Sequence, residues 1–130
     1  MNNLLTAIYG KTSGSALSTA VGGRIYLDEA PDKTVLPYAI FYIVSAVPDR
    51  TFTERYTDLI VQFSLFSEST SAVEITTIYG YLKTLFDECA LTITGSTLIW
   101  MKEENLSTMF DEGEGVRHWA VDYAILTSLN

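Results

Sequence analysis

The sequence predicts an α+β fold, a mainly antiparallel sheet packed by one long amphipathic helix, with a short N-terminal helix before them. Residues 56–66 alternate apolar and polar side chains, which is the period of a half-buried strand. Residues 71–86 repeat apolar side chains at helical spacing, so this helix is expected to cover one sheet face. Short connections between the other strand candidates favour antiparallel pairing. The predicted order is helix, strand, strand, strand, helix, strand, strand.

The first third of the chain predicts helical segments followed by two strands. Residues 3–9 carry apolar side chains at helical spacing, and residues 16–21 predict a further helical turn that a glycine pair closes. Residues 24–27 predict a short strand. Residues 38–47 are rich in aromatic and β-branched side chains, which predicts a strand buried on both faces.

The second half predicts the main helix and the closing strands. Ser71 and Glu74 have the spacing of a capping box, in which Ser71 is the N-cap and Glu74 reaches back to it. Residues 91–93, 97–106 and 117–127 predict three strands, the last with strict alternation. No internal repeat or interdomain linker interrupts the chain, so we expect a single domain over residues 1–130.

Composition limits the function classes. The chain has 130 residues, a formal net charge of −8 and one cysteine. An acidic surface repels phosphates, so we expect no tight nucleic-acid binding and no attachment to an anionic membrane. Only 18% of the residues are charged, against about 25% in typical domains, which indicates that other subunits cover part of the surface. One thiol forms no internal disulfide and fits a cytoplasm.

The sequence offers no catalytic, cofactor or metal site. Residues 10–12 look like the end of a phosphate-binding loop, but Leu5 stands where that motif needs its first glycine. His118 and Cys89 lie outside any pattern that would supply a nucleophile with a base and an orienting group. The acidic segment 111–115 lacks the alternating oxygen ligands of a calcium loop and predicts a solvated turn.

One segment has the composition of a contact surface. Residues 48–55 predict a polar connection that is longer than a tight hairpin needs. Arg50, Phe52 and Arg55 place two of eight basic residues and an aromatic there, which is typical of interface hot spots. In the alternative reading Phe52 folds back on the core and the arginines pair with neighbouring acids. We take these three as candidate subunit-interface residues.

Three stretches carry a family resemblance. They are Val21-Gly22-Gly23-Arg24-Ile25-Tyr26, Ala30-Pro31 and Leu36-Pro37-Tyr38-Ala39-Ile40-Phe41. They resemble the tail-completion proteins of long-tailed bacteriophages, which are similar in fold to tail terminators and tail-to-head joining proteins. The polar connection, the alternating strand, the amphipathic helix and the closing strand that follow fit the same pattern.

The resemblance implies a virion protein without catalytic residues or cofactors. Such a protein assembles in the bacterial host cytoplasm and forms a ring, commonly a hexamer, at the head-proximal end of the tail. Its expected partners are other copies of itself, the tail-tube protein and the head connector. The matching glycines and prolines are positions of the fold and carry no chemistry.

Two other classes stay open on the residues alone. A small acidic, non-enzymatic adaptor or inhibitor that binds a host or phage protein has the same composition, but it would remain monomeric or dimeric. A hydrolase would need converging polar groups in a concave pocket, and the sequence indicates no such set.

Overall fold

The described residues form three helices and six strands. A computed structural model describes residues 2–50, 55–68 and 71–129, with the backbone alone at residues 49 and 50. The elements in chain order are α1 (Asn2–Thr12), α2 (Ala16–Ala20), β1 (Ile25–Leu27), β2 (Tyr38–Arg50), β3 (Arg55–Ser67), α3 (Val73–Phe86), β4 (Thr92–Ile93), β5 (Ser96–Asp111) and β6 (Val116–Leu129).

All six strands belong to one sheet, in the order β1-β2-β3-β6-β5-β4. The short β1 pairs parallel to β2, and the other neighbours pair antiparallel. Two long hairpins, β2–β3 and β5–β6, therefore meet where β3 pairs with β6 at the centre. The sheet curls into a half-barrel, so its concave side encloses much of the core.

The predicted fold class is wrong. Strands make up 49% of the structure, the three helices are short, and no long amphipathic helix packs on the sheet. The 14-residue α3 contacts β3 near both ends: Glu74 accepts a hydrogen bond from Ser67, and the Phe86 ring stacks on Phe63 at a centroid distance of 4.9 Å. The strands extend beyond their predicted bounds, and the prediction stopped short because the outer ends of the strands face solvent. Such ends lack the apolar alternation that marks a strand in sequence.

The core lies between the inner sheet face and the helices. The predicted alternation in β3 is confirmed, since Leu59, Val61, Phe63 and Leu65 are all buried. Phe63 is central because it also stacks near Phe41 at 5.8 Å and contacts Tyr123 edge-on at 5.7 Å. Other fully buried side chains come from all three helices and from β6. They include Ile8, Leu17, Ile75, Ile78, Leu82, Phe86, Val121 and Ile125.

Strand β2 is buried on one face only, contrary to the prediction. Ala39 and Phe41 are buried, whereas the side chains at 44–48 are exposed. The aromatic and β-branched composition predicted the strand correctly, but it does not distinguish a central strand from one near a sheet edge.

The predicted capping box is also absent. Ala72 is the N-cap of α3 and makes no side-chain cap. The Ser71 hydroxyl accepts a hydrogen bond from the Val73 N–H at 3.2 Å. Glu74 instead accepts a hydrogen bond from the Ser67 hydroxyl at 2.6 Å, which joins α3 to the end of β3.

Candidate functional site

The candidate interface residues lie at the tip of the β2–β3 hairpin. Ladder pairing continues to its last pair, Arg50 opposite Arg55. Residues 48–50 and 55 are therefore strand, and not the free-standing connection that the sequence predicted. Arg55 is exposed. Phe52 lies outside the described residues, and Arg50 is described by its backbone alone, so their roles remain predictions.

A crevice lies beside the tip of this hairpin. It has a volume of about 350 Å³, and Pro48, Arg55 and Thr57 line it together with Asn3 of α1 and the turn between β4 and β5. The Asn3 amide donates to the Thr94 carbonyl at 2.9 Å and fixes α1 to that turn. Arg55 contributes a cation, but the lining holds no acid or base partner for catalysis.

The outer edge of β2 is uncovered over most of its length. β1 pairs only with Ala39, Ile40 and Phe41, so within the described ranges no strand lies beside residues 42–50. Val44 and Val47 on this stretch are 53% and 57% exposed. Residues 38–48 carry no charged side chain. Natural sheets usually guard free edges with charges or cover them, so this stretch is unusual.

The sheet face opposite the core carries two cross-strand rows. In the first, Phe66 stacks between Tyr38 and His118, with ring centroids 4.8 Å and 4.4 Å apart. In the second, Tyr42 donates from its hydroxyl to the Gln62 amide oxygen, and Gln62 Nε2 donates to Asp122 Oδ1 at 3.0 Å. These rows connect β2, β3 and β6 and hold their register.

His118 and Cys89 both lie in partly buried surroundings. The ring of His118 is half-buried, its Nε2 has no hydrogen-bond partner within the described ranges, and burial lowers its pKa. Burial raises the pKa of the Cys89 thiol, whose Sγ lies 3.7 Å from Met101 Sδ. A catalytic thiol needs a lowered pKa, so the environment of Cys89 opposes nucleophilic use.

A polar cluster fastens α3 to β5. Glu103 accepts a hydrogen bond from the Tyr79 hydroxyl, and Lys83 Nζ lies 3.1 Å from its second oxygen. Asp87 Oδ1 accepts from the Glu103 N–H at 3.1 Å. Burial, and next the bond to Glu103, raise the pKa of Tyr79. Each member has a partner, which is typical of a structural cluster.

The acidic turn after β5 is held by hydrogen bonds within the turn. Asp111 Oδ1 accepts hydrogen bonds from the Gly113 and Glu114 N–H groups at 3.0 and 3.3 Å. Across the described ranges, no three acidic, histidine or cysteine side chains are grouped so as to hold a metal ion. None of the helices described has the length and apolar character needed to cross a bilayer.

Comparisons with known proteins identify the family. The family described as Tail completion protein gp17 matches residues 6–128, nearly the whole chain. The chain belongs to this family. No curated protein matches at a significant level. Membership makes it a structural tail protein of a phage-like virion, as the resemblance implied, and this family role is non-enzymatic.

Two solved structures share the fold of this tail completion protein. One is a chain from the virion of a native gene transfer agent particle, with a TM-score of 0.84 and 13% identity, covering 95% of this chain and 92% of that one. The other carries no functional description and matches with a TM-score of 0.63 and 10% identity, covering 99% of this chain and 94% of that one. At these identities the likeness concerns the fold.

Sequence reasoning selected the hairpin tip but missed the free edge of β2. The signal was present, since residues 38–48 form an apolar run without a charge. That apolar run predicts a strand buried on both faces. An apolar strand that lies at a sheet edge carries the same composition, and only topology separates the two cases.

Proposed function

We propose that this tail completion protein forms a homo-oligomeric ring, a hexamer, at the head-proximal end of the tail. There it ends growth of the tail tube and joins the tail to the head connector. The observation that carries the proposal is the family match over residues 6–128. The fold shared with a chain of a gene transfer agent virion supports it, because that particle is phage-like.

The charge of the chain suits a ring that DNA crosses. A net charge of −8 repels the phosphates, so the duplex passes without being held. Assembly in the host cytoplasm fits the single cysteine, whose thiol is free. The whole chain acts as one domain whose surface is completed by its neighbours.

The hairpin tip is the proposed contact between ring neighbours or with the tube. Arg50 and Arg55 lie directly opposite each other there. Like charges at opposed positions destabilise a hairpin unless an acid lies nearby, and a neighbouring acidic copy supplies one. Phe52 is the proposed apolar anchor, because exposed ion pairs alone contribute little.

Deletion of the gene from its phage or prophage tests the function. We expect heads filled with DNA and separate tails of uncontrolled length, which electron microscopy counts directly. Complementation with the wild-type chain should restore joined particles of uniform tail length. Immunogold against a tagged copy should label the head–tail junction.

The same experiment distinguishes the rival class. An adaptor or inhibitor would be absent from purified particles, and its deletion would leave tail length and head attachment unchanged. Normal tails without the chain would therefore overturn the proposed function.

A further inference from the structure

We infer that the uncovered edge of β2 pairs with the uncovered edge of β5 in the next copy, so that the sheets of neighbouring subunits join into one continuous sheet around the ring. This inference rests on the proposed function, because it names the contact that closes the ring. It begins from residues 42–47, the apolar, uncharged part of the β2 edge that carries exposed Val44 and Val47.

A second uncovered stretch of the described sheet belongs to β5. β4 pairs only with Ser96 and Thr97. The segment after α3 covers the next stretch, since Glu88 donates its N–H to the Met101 carbonyl at 2.8 Å. Asp87 likewise accepts from the Glu103 N–H. Residues 105–111 have no such cover among the described residues, and Met109 and Phe110 there are 49% and 47% exposed.

The two edges have opposite directions and complementary positions. Three successive antiparallel pairings separate β2 from β5, so the strands run antiparallel within a copy and also between equally oriented copies in a ring. Tyr42 is level with Asn105 through Gln62 and Asp122. The free part of β2 therefore extends from that level toward one end of the sheet, and the free part of β5 toward the other.

Joining the edges requires each copy to shift along the strands by about four to six residues, or roughly 14–20 Å at ~3.4 Å per residue. Strands in a closed ring then tilt relative to its axis, as strands of closed barrels do. The contact is heterologous, since one patch meets a different patch on the next copy, and this is the interface type that builds rings. Pro48, which has no N–H, ends the ladder toward the hairpin tip.

Charge favours a second copy as the occupant. In this arrangement the hairpin tip of one copy lies beside the middle of β5 in the next. The end of the ladder at residue 50 and the exposed Arg55 then lie near Glu88 and Glu104, two exposed acids beside the middle of β5. Oppositely charged patches set the register of an interface more than they add affinity. The apolar edge supplies the ladder bonds, and the charges select the partner edge.

Disulfide trapping in assembled tails tests the pairing. Ser45 and Ser107 are exposed and lie on the sheet face opposite the core. In a Cys89→Ala background, the double variant Ser45→Cys, Ser107→Cys should give, on oxidation, a ladder of covalent multimers up to the ring size. Ser45→Cys with Met109→Cys covers the neighbouring register. Ser45→Cys alone, and Ser45→Cys with Thr76→Cys on α3, should give none.

Each alternative has its own outcome. Dimers from Ser45→Cys alone would mean that two β2 edges meet, which overturns the pairing. Rings visible at the tail end without a ladder from either pair would overturn it and leave the proposed function standing. Absence of the chain from the tail would overturn the proposed function instead.

A charge placed on the edge provides a second measurement. Val47→Lys should prevent ring assembly, because a lysine on a free edge blocks pairing. Val73→Lys, at a valine 70% exposed on α3, is the matched control and should assemble normally. Intact rings in Val47→Lys that fail only to join heads would show that another tail protein covers β2, and the inference would be wrong.

Discussion

Arg24 donates a hydrogen bond from Nε to the carbonyl oxygen of Pro37, 3.0 Å away. The Ala39 N–H donates to the Arg24 carbonyl, also at 3.0 Å, so the start of β1 is tied to the start of β2 at two points. These contacts join the glycine–glycine–arginine turn to the leucine–proline–tyrosine stretch that follows it. The two most specific pieces of the family pattern are thus one structural unit.

Gly22→Ala should destabilise this unit. Gly22 has φ +62°, and an added Cβ would lie 2.7 Å from Arg24 Nη1. We expect a loss of about 1–2 kcal/mol from the left-handed backbone, with displacement of the guanidinium adding to it. Gly10→Ala is the control, because nothing lies within 4 Å of that Cβ in α1. Urea unfolding should show Gly10→Ala unchanged or slightly stabilised; equal losses in both variants would contradict the assignment.

Leu82→Ala should create a cavity beneath α3. Leu82 is fully buried in the same core as Phe63 and Phe86. The expected loss in the free energy of unfolding is about 2–5 kcal/mol. Val73→Ala, at an exposed position of the same helix, should change it by less than about 0.5 kcal/mol. A loss below about 0.5 kcal/mol for Leu82→Ala would mean that the buried face of α3 is misplaced.

The hairpin tip should be needed for assembly and dispensable for folding. The variant Arg50→Glu, Phe52→Ala, Arg55→Glu should fold with unchanged circular dichroism and yet fail to form rings. Tails should then be of uncontrolled length or lack heads. A control, Lys33→Glu, Val35→Ala, reverses one charge and truncates one apolar side chain at exposed positions away from the tip. Normal infectious particles from the tip variant would exclude the tip as an interface.

His118 should make stability depend on pH. Burial lowers its pKa in the folded chain, so the unfolded chain binds the proton more readily. The free energy of unfolding therefore has its full value, as far as His118 is concerned, above the unfolded pKa of about 6.5. It declines as pH falls through that value toward the lower pKa of His118 in the folded chain. His118→Phe keeps the stack on Phe66 without the titration. The difference in unfolding free energy between wild type and this variant should change across that window; a flat difference would contradict the burial.

Cys89 should react slowly in the folded protein. Burial raises the thiol pKa, so little thiolate is present near neutral pH. Iodoacetamide at pH 8 should modify the folded chain far more slowly than the chain in urea, as followed by mass spectrometry. Cys89→Ala should leave particle assembly intact, apart from any cost in stability. Equal labelling rates in the folded and unfolded chain would show an activated or open thiol.

The sequence predicted the positions of the strands and helices better than their arrangement. Alternation located Leu59 and Phe63 correctly because they lie on the fully buried face of β3, whereas the polar Asp58 and Gln62 lie on the less buried face. It failed at residues 107–111, where the side chains on both faces of the strand are exposed, and at residues 48–50, where a polar composition predicted a connection. The curl of the sheet also has no local signal, because it arises from twist accumulated over six strands.

The proposed contact site rests partly on sequence and partly on topology. Two of the four arginines of the chain are residues 50 and 55, so composition alone makes this segment a candidate. The exposed edge at Val44 and Val47 required knowledge of the strand order, because the same apolar run would fit a central strand. The predicted capping box does not form, because Glu74 accepts a hydrogen bond from Ser67, four residues before Ser71, instead.

The hydrogen-bonded row from Tyr42 through Gln62 to Asp122 fixes the position of the strands along the sheet as well as their register. It locks three strands at the level where the uncovered part of β2 begins. Slippage by one residue would break both bonds and turn every core side chain outward. In a ring of identical copies, these two hydrogen bonds place the uncovered edge of β2 at the same level in every subunit. The last subunit can therefore pair with the first without an offset along the strands.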